Sequence, residues 1–436
     1  MPLKRLLPAA TTWLVCLACL PAWAQVSPDQ VSALQSRAES GDAAALARLK
    51  KLAAERSSSA EFALGVMYER GSGVAQDVPQ ALKWYRDSAA QGDKAAESNL
   101  GVMYESGRGL PQSYQQAFLW YRKAAMQNDG AAEGNLAQMY RLGRGVSLDY
   151  QQAAFWYRKG AAQGDRLSES NLGAMYEHGL GVAKDNRQAL YWSRKAAAQG
   201  EPNAQANLGD MYYFGRGVPQ DYAQALSWYQ KAATQGNTRA QTSLGDMYYL
   251  GQDLPQDYPQ ALYWFHKAAE RNDANAEANL GQMYRLGQGV PVSVSRALDW
   301  YRKAAADGSA FGQTNLGTMY VLGFGVQRNY SQALHWYRMA ATHGEADAQA
   351  NLGDMYYLAQ GVPQDYAQAL LWFRRAAQQK QANAEDNLAQ MYRLGQGVPR
   401  SRQEALDWYR KAAAQGNVDA QHALDALRQG ADADRR

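Results

Sequence analysis

The chain has 436 residues, a formal charge of +4, 20% charged and 46% hydrophobic residues, and two cysteines, Cys16 and Cys19. So near-neutral a balance over this length argues against a nucleic-acid partner, which would need a basic stripe to neutralise phosphates. Both cysteines fall within the first 24 residues, so the remainder must be held by its apolar core without disulfides.

Lys4 and Arg5 precede an apolar run over residues 11–21, followed by Ala22-Trp23-Ala24. This is the charged region, short apolar region and small-x-small cleavage site of a secretory signal peptide. We therefore expect residues 1–24 to be removed by cleavage after Ala24, leaving a periplasmic or secreted protein. Loss of Lys4 and Arg5 lowers the formal charge from +4 to +2. The residues before Cys16 and Cys19 suit lipid attachment poorly. The run is too short for a transmembrane helix, and no later segment offers about 18 uninterrupted apolar residues.

Residues 25–59 read as a degenerate helical cap, with Ser40-Gly41-Asp42-Ala43 echoing the repeat junction Gln91-Gly92-Asp93-Lys94. From there the sequence repeats every 36 residues, so that Leu64, Leu100, Leu136 and their successors to Leu388 align without insertion or deletion. Ten full repeats occupy residues 60–419. A fixed period of this size signals stacked supersecondary units, none able to bury its apolar face alone.

Within residues 204–239, Leu208, Gly209, Met211 and Tyr212 gather on one helical face at about 100° per residue. A Gly-x-Gly-Val break follows at Gly215 and Gly217, suited to a left-handed helix end. Asp221 then caps a second helix, and every repeat places Asp, Ser or Asn at this point, from Asp77 to Ser401. The second helix carries Ala225, Leu226, Trp228, Tyr229, Ala232 and Ala233. Ten of the twelve tryptophans form one column here, from Trp84 to Trp408. Such a column beside Ala and Leu reads as core rather than as a carbohydrate-stacking ladder. Residues 420–436 supply a closing helix with Leu424 in register, and a tail from Gly430 expected to be disordered.

The consensus A-x-A-N-L-G-x-M-Y-x-x-G-x-G-V-P-x-D-Y-x-x-A-L-x-W-Y-x-K-A-A-x-Q-G resembles the Sel-one-like repeat, a relative of the tetratricopeptide repeat. The resemblance covers residues 60–419. It implies an all-α fold, a right-handed α-solenoid of about ten 36-residue helix-turn-helix repeats with a concave face. It further implies a non-catalytic adaptor or scaffold for other proteins, in envelope assembly or regulation, toxin immunity or host contact.

The residues two and five after each Leu vary most. Helical angles point them away from the Leu/Met/Tyr face, so packing is not expected to choose them. In tetratricopeptide-like solenoids the matching positions line the groove. Early repeats favour Glu there, as at Glu69 and Glu105. Later ones mix Asp210/Tyr213, Asp246/Tyr249 and Asp354/Tyr357 with Gln282/Arg285 and Gln390/Arg393. Tyr and Arg are enriched at binding hot spots, so these ten residues are the expected groove for a peptide or partner protein, of host or envelope. Copying by duplication is the competing explanation, because repeats six and seven closely resemble repeats nine and ten.

Second helices end in basic pairs such as Arg122-Lys123, Arg158-Lys159 and Arg194-Lys195, read as solvated complements of the helix dipole. An anionic glycan or membrane contact is the alternative. Asp253, Ala359 and Lys380 replace glycines at left-handed positions, which predicts soft joints, softest in repeat nine. No catalytic, metal or cofactor residues are proposed. The Gly-x-Gly pairs lack a preceding strand and a following Lys-Ser/Thr, the five histidines have no ligand spacing, and no G-x-S-x-G appears. Cysteine-rich relatives of the repeat have been linked to β-lactam hydrolysis, but their cysteines are missing here. An extracytoplasmic hydrolase and a passive spacer remain the rival functions.

Overall fold

The computed structural model describes residues 26–433, so the expected signal peptide at 1–24 lies outside the described residues. Among these, 23 helices follow one another and no strand occurs. Helices α1 (Pro28–Glu39) and α2 (Ala43–Ala54) make a leading hairpin, joined through Gly41 at φ +98° and capped by Asp42. Each repeat then adds an antiparallel pair, from α3 (Ser58–Arg70) and α4 (Val78–Ala90) to α21 (Ala382–Leu394) and α22 (Arg402–Ala414). The last helix, α23 (Val418–Ala433), runs past Gly430, where a disordered tail was expected. The chain is an α-solenoid.

The helices group into two compact units, one ending at Leu208 and one beginning at Gly209, with the division inside α11 (Pro202–Phe214). In the first unit Leu64, Leu100, Leu136 and Leu172 are wholly buried, and in the second Leu244, Leu280, Leu352 and Leu388. Beside them lie the Met of the first helix and the Ala residues of the second.

The largest buried side chain in most repeats is the aromatic residue after the tryptophan, such as Tyr85, Tyr121, Phe265 or Tyr301. Its ring packs on the first helix, against a glycine in seven of the nine aromatic repeats and against Ala137 or Ala389 in the other two. A Cβ at Gly65 would come within 2.6 Å of the Tyr85 ring, and one at Gly281 within 2.6 Å of Tyr301. The ten tryptophans of the column are all half-buried. Trp84 packs on the rim of the cluster holding Leu64 and Met67, and Trp120 on that holding Leu100. The expectation of a tryptophan core is therefore corrected by one position. One ring fits between the paired helices, and the glycine admits the Tyr or Phe.

Every second helix of the repeats begins at the predicted cap, whose side chain accepts from a backbone N–H of the first turn. First helices end on left-handed glycines such as Gly71 at φ +73° and Gly395 at φ +73°. Asp253, Ala359 and Lys380 do adopt positive φ, at +52°, +58° and +60°. In repeat nine the first helix, α19 (Ala346–Tyr357), stops one residue short of its 13-residue counterparts.

Candidate functional site

The ten predicted groove residues all lie in the second unit on first helices, α11, α13 (Thr238–Leu250), α15 (Ala274–Leu286), α19 and α21. Asp210, Asp246, Asp354, Gln282 and Gln390 are half-buried, as are Tyr213, Tyr249 and Tyr357. Arg285 and Arg393 are exposed. The structure gives these positions a packing duty that the sequence reading denied them.

That duty begins with the buried phenol of the same repeat. In the first unit Tyr85 Oη donates to Glu69 Oε2 at 2.6 Å, and Tyr121 Oη to Glu105 Oε2 at 2.8 Å. In the second, Tyr229 Oη donates to Asp210 Oδ1 at 2.7 Å, and Tyr337 Oη lies 3.0 Å from Thr318 Oγ1. Arg285 and Arg393 stand beside the phenols of Tyr301 and Tyr409. Burial pushes both phenols up, and the guanidinium charges act against it. Repeats six and nine place Phe265 and Phe373 at the buried ring, so Asp246 and Asp354 have no phenol beneath them and accept from Asn279 and Asn387 instead. A buried hydroxyl without a partner is costly. The variable residues are thus chosen partly by the aromatic ring beneath them.

Their second duty is to join successive repeats. Tyr213 Oη donates to Gln252 Oε1 of the next repeat, Tyr249 Oη to Gln288 Oε1 at 2.9 Å, and Tyr357 Oη to Gln396 Oε1 at 2.6 Å. Gln282 Nε2 also donates to Tyr249 Oη at 2.8 Å. In the first unit the same joint is ionic, with Arg108 Nη1 at 3.0 Å from Glu69 Oε1 and Arg144 Nη1 at 3.9 Å from Glu105 Oε1. Gln390 turns inward on its own helix, donating to Asp386 Oδ2 at 2.7 Å.

Two of the aspartates are poorly matched to their surroundings. Asp246 accepts from Asn279 Nδ2 at 2.9 Å and Asp354 from Asn387 Nδ2 at 2.8 Å. Those bonds favour the carboxylate, yet burial outweighs them and raises Asp246 to about 7 and Asp354 to about 6. Both half-buried carboxyls therefore hold a proton more readily than a free aspartate.

The sequence reading missed the residue immediately after each groove position. Phe214, Leu250, Leu286, Leu322, Leu358 and Leu394 occupy one repeat position, at or just past the end of the first helix, in six consecutive repeats of the second unit, each between 46% and 55% exposed. The Phe214 ring meets Tyr213 edge-on at 4.8 Å, so this column borders the predicted groove. The signal was present as a Leu recurring every 36 residues before the Gly-x-Gly break, where it passed for part of the turn.

Ten consecutive stretches, from residues 58–93 to 382–417, match the Sel1 repeat. The chain belongs to the Sel1 repeat family. A solved structure similar to it is the protective antigen c5321 of uropathogenic Escherichia coli, which displays an SLR fold. The two share 34% identity over 93% of this chain and 89% of that one, with a TM-score of 0.72. A Sel1 repeat protein from Oxalobacter formigenes shares 32% identity over 56% of this chain and 96% of its own, with a TM-score of 0.51. No curated protein matches the chain.

The Sel1 repeats also use their second helices for more than dipole compensation. Lys123 Nζ lies 2.8 Å from Glu97 Oε1, Lys195 Nζ 3.0 Å from Glu169 Oε1, and Lys303 Nζ 2.9 Å from Glu277 Oε1, with each carboxylate wholly buried. Gln127 and Gln199 donate to the other oxygens of Glu97 and Glu169, both at 2.7 Å. The same lysines hover over the tryptophan of their turn, as Lys123 does 5.1 Å from the Trp120 ring. The basic pairs therefore divide their labour, since Lys clamps the Sel1 helix pair while Arg158 and Arg374 bond Tyr176 and Tyr392 of the following repeat. In repeat one Asp87 stands where Lys would be, and burial with the Asp87 charge raises Glu61 to about 7. Among the described residues no helix is long and apolar enough to cross a membrane, and no group of three or more His, Cys, Asp or Glu could hold a metal ion.

Proposed function

We propose that the protein is an exported, non-catalytic scaffold that binds a partner protein or peptide along the first helices of repeats five to ten. The observation that carries this reading is the exposed apolar column from Phe214 to Leu394. Large apolar side chains left exposed in one unbroken line mark an interaction surface, and none of these six positions is needed to complete a phenol or a joint. Arg285 and Arg393 are exposed beside it, and their residue type is enriched at binding hot spots. Asp210, Tyr213, Asp246, Tyr249, Gln282, Asp354, Tyr357 and Gln390 then form the floor beside that line.

Export follows from the cleavage pattern before Gln25. The similar protein of uropathogenic Escherichia coli is a protective antigen, which favours a host-facing role over envelope assembly or toxin immunity. The test is capture from host secretions and from periplasmic extract, with the wild-type chain beside a Leu286→Glu/Leu322→Glu variant. A protein held by the wild type and lost by the variant, at unchanged melting temperature, supports the reading. Equal capture by both places binding elsewhere, and capture by neither favours the passive spacer.

A further inference from the structure

We propose that the outer face of three second helices in the first unit docks on an anionic phospholipid surface. The helices are α6 (Tyr114–Ala125), α8 (Tyr150–Ala162) and α10 (Asn186–Ala198), which belong to consecutive repeats. Leu119, Phe155 and Tyr191 hold the same position in each, and they are 53%, 46% and 53% exposed. One turn later on the same face come Arg122-Lys123, Arg158-Lys159 and Arg194-Lys195. No Asp or Glu occurs anywhere in the three helices.

The lysine charges are partly answered from below. Glu97 and Glu169 pair with Lys123 and Lys195, and Lys159 lowers the otherwise raised Glu133. Those carboxylates are buried and offer nothing to the surface. Arg158 rests on the neutral phenol of Tyr176 at 3.1 Å, which leaves its charge uncompensated by that contact. Arg122 and Arg194 are exposed. On α10 a recess of about 440 Å³ is lined by Leu190 and Tyr191 and by Arg187, Arg194 and Lys195.

Equivalent positions in stacked equivalent repeats fall on a line, so the apolar column and the cation column run side by side. One aliphatic or aromatic residue per helix can then enter the headgroup boundary while the cations meet lipid phosphates. Long basic side chains reach such phosphates while their stems stay on apolar surface. Three such helices in succession occur in the first unit, and in the second unit α20 (Tyr366–Gln378) repeats the pattern singly, with Leu371 41% exposed before Arg374-Arg375. The counterparts of Leu119 in α16 (Val294–Ala306) and α22 are Asp299 and Asp407, which would repel the same surface.

The experiment is co-sedimentation of the full chain with vesicles of phosphatidylglycerol and phosphatidylcholine, and with phosphatidylcholine alone. Two variants accompany it, Leu119→Ser/Phe155→Ser/Tyr191→Ser and Arg122→Gln/Arg158→Gln, each checked for unchanged helicity and melting. The expected result is salt-sensitive binding to the anionic vesicles only, reduced about tenfold or more in either variant. Absence of binding to anionic vesicles overturns the proposal. So does binding that survives both variants, which would assign it to another segment such as residues 1–24. Soluble polyglutamate serves as a further probe. If it is bound in a variant-sensitive way while vesicles are not, the face suits an acidic protein and the lipid assignment fails.

Discussion

Tyr229 Oη donates to Asp210 Oδ1 at 2.7 Å, linking the buried ring of one helix to a half-buried carboxylate on its partner. Asp210 also lies 3.4 Å from Arg239 Nη1. The phenol has burial as the main force on its ionisation, with Asp210 adding to it, so it stays protonated and remains a donor. Asp210→Ala should cost about 1–3 kcal/mol by stranding that donor. Adding Tyr229→Phe should recover a substantial part of the loss. Urea midpoints of the two single variants and the double variant measure the coupling, and strictly additive losses would show that the bond contributes nothing.

Glu61 predicts a pH dependence. Its folded value of about 7 lies above the usual 4.5, so the folded state holds the proton more tightly than the unfolded one. That stabilising contribution is complete below the unfolded value and is lost as pH rises through about 7. Asp87→Lys supplies the cation that Lys123 gives Glu97, so its gain in melting temperature should be small near pH 4.5 and grow up to pH 7.5. A gain independent of pH would contradict the assignment.

Ala359→Gly should stabilise the protein by about 1 kcal/mol, because a Cβ at φ +58° is strained where glycine is not. In the wild type, amides of residues 358–381 should exchange faster than their counterparts in repeat ten. Uniform protection across the two repeats would remove the case for a soft joint.

Tyr229→Ala should cost about 3–5 kcal/mol, as deletion of a fully buried ring does, and Trp228→Ala distinctly less. Tyr229 is 1% exposed, whereas Trp228 is half-buried. Thermal melts of the two variants decide the order, and a larger loss from Trp228→Ala would restore tryptophan to the centre of the core.

The helix pairs, their caps and their glycine ends were legible because each obeys a local rule repeated ten times, so chance agreement cannot survive the alignment. What escaped is set by contacts between side chains 16 to 39 residues apart. Helical angles rightly turn Tyr249 away from the Leu/Met face, but they say nothing of Gln288 in the next repeat. A trace did exist, since Tyr213, Tyr249 and Tyr357 are each followed 39 residues later by a Gln. Only comparison of columns with one another exposes it. The tryptophan column misled because size was taken for depth, while the glycine facing Tyr85 or Tyr301 was the better marker of where the helices close.

The two kinds of joint also limit how such a gene can change length. Excision of repeat two would bring Glu69 opposite Arg144, and excision of repeat six would bring Tyr213 opposite Gln288, so either shortened chain keeps a matched seam. Excision of repeat three would set Glu105 against Leu180 and break one. A change of length by whole repeats therefore disturbs least where like seams meet.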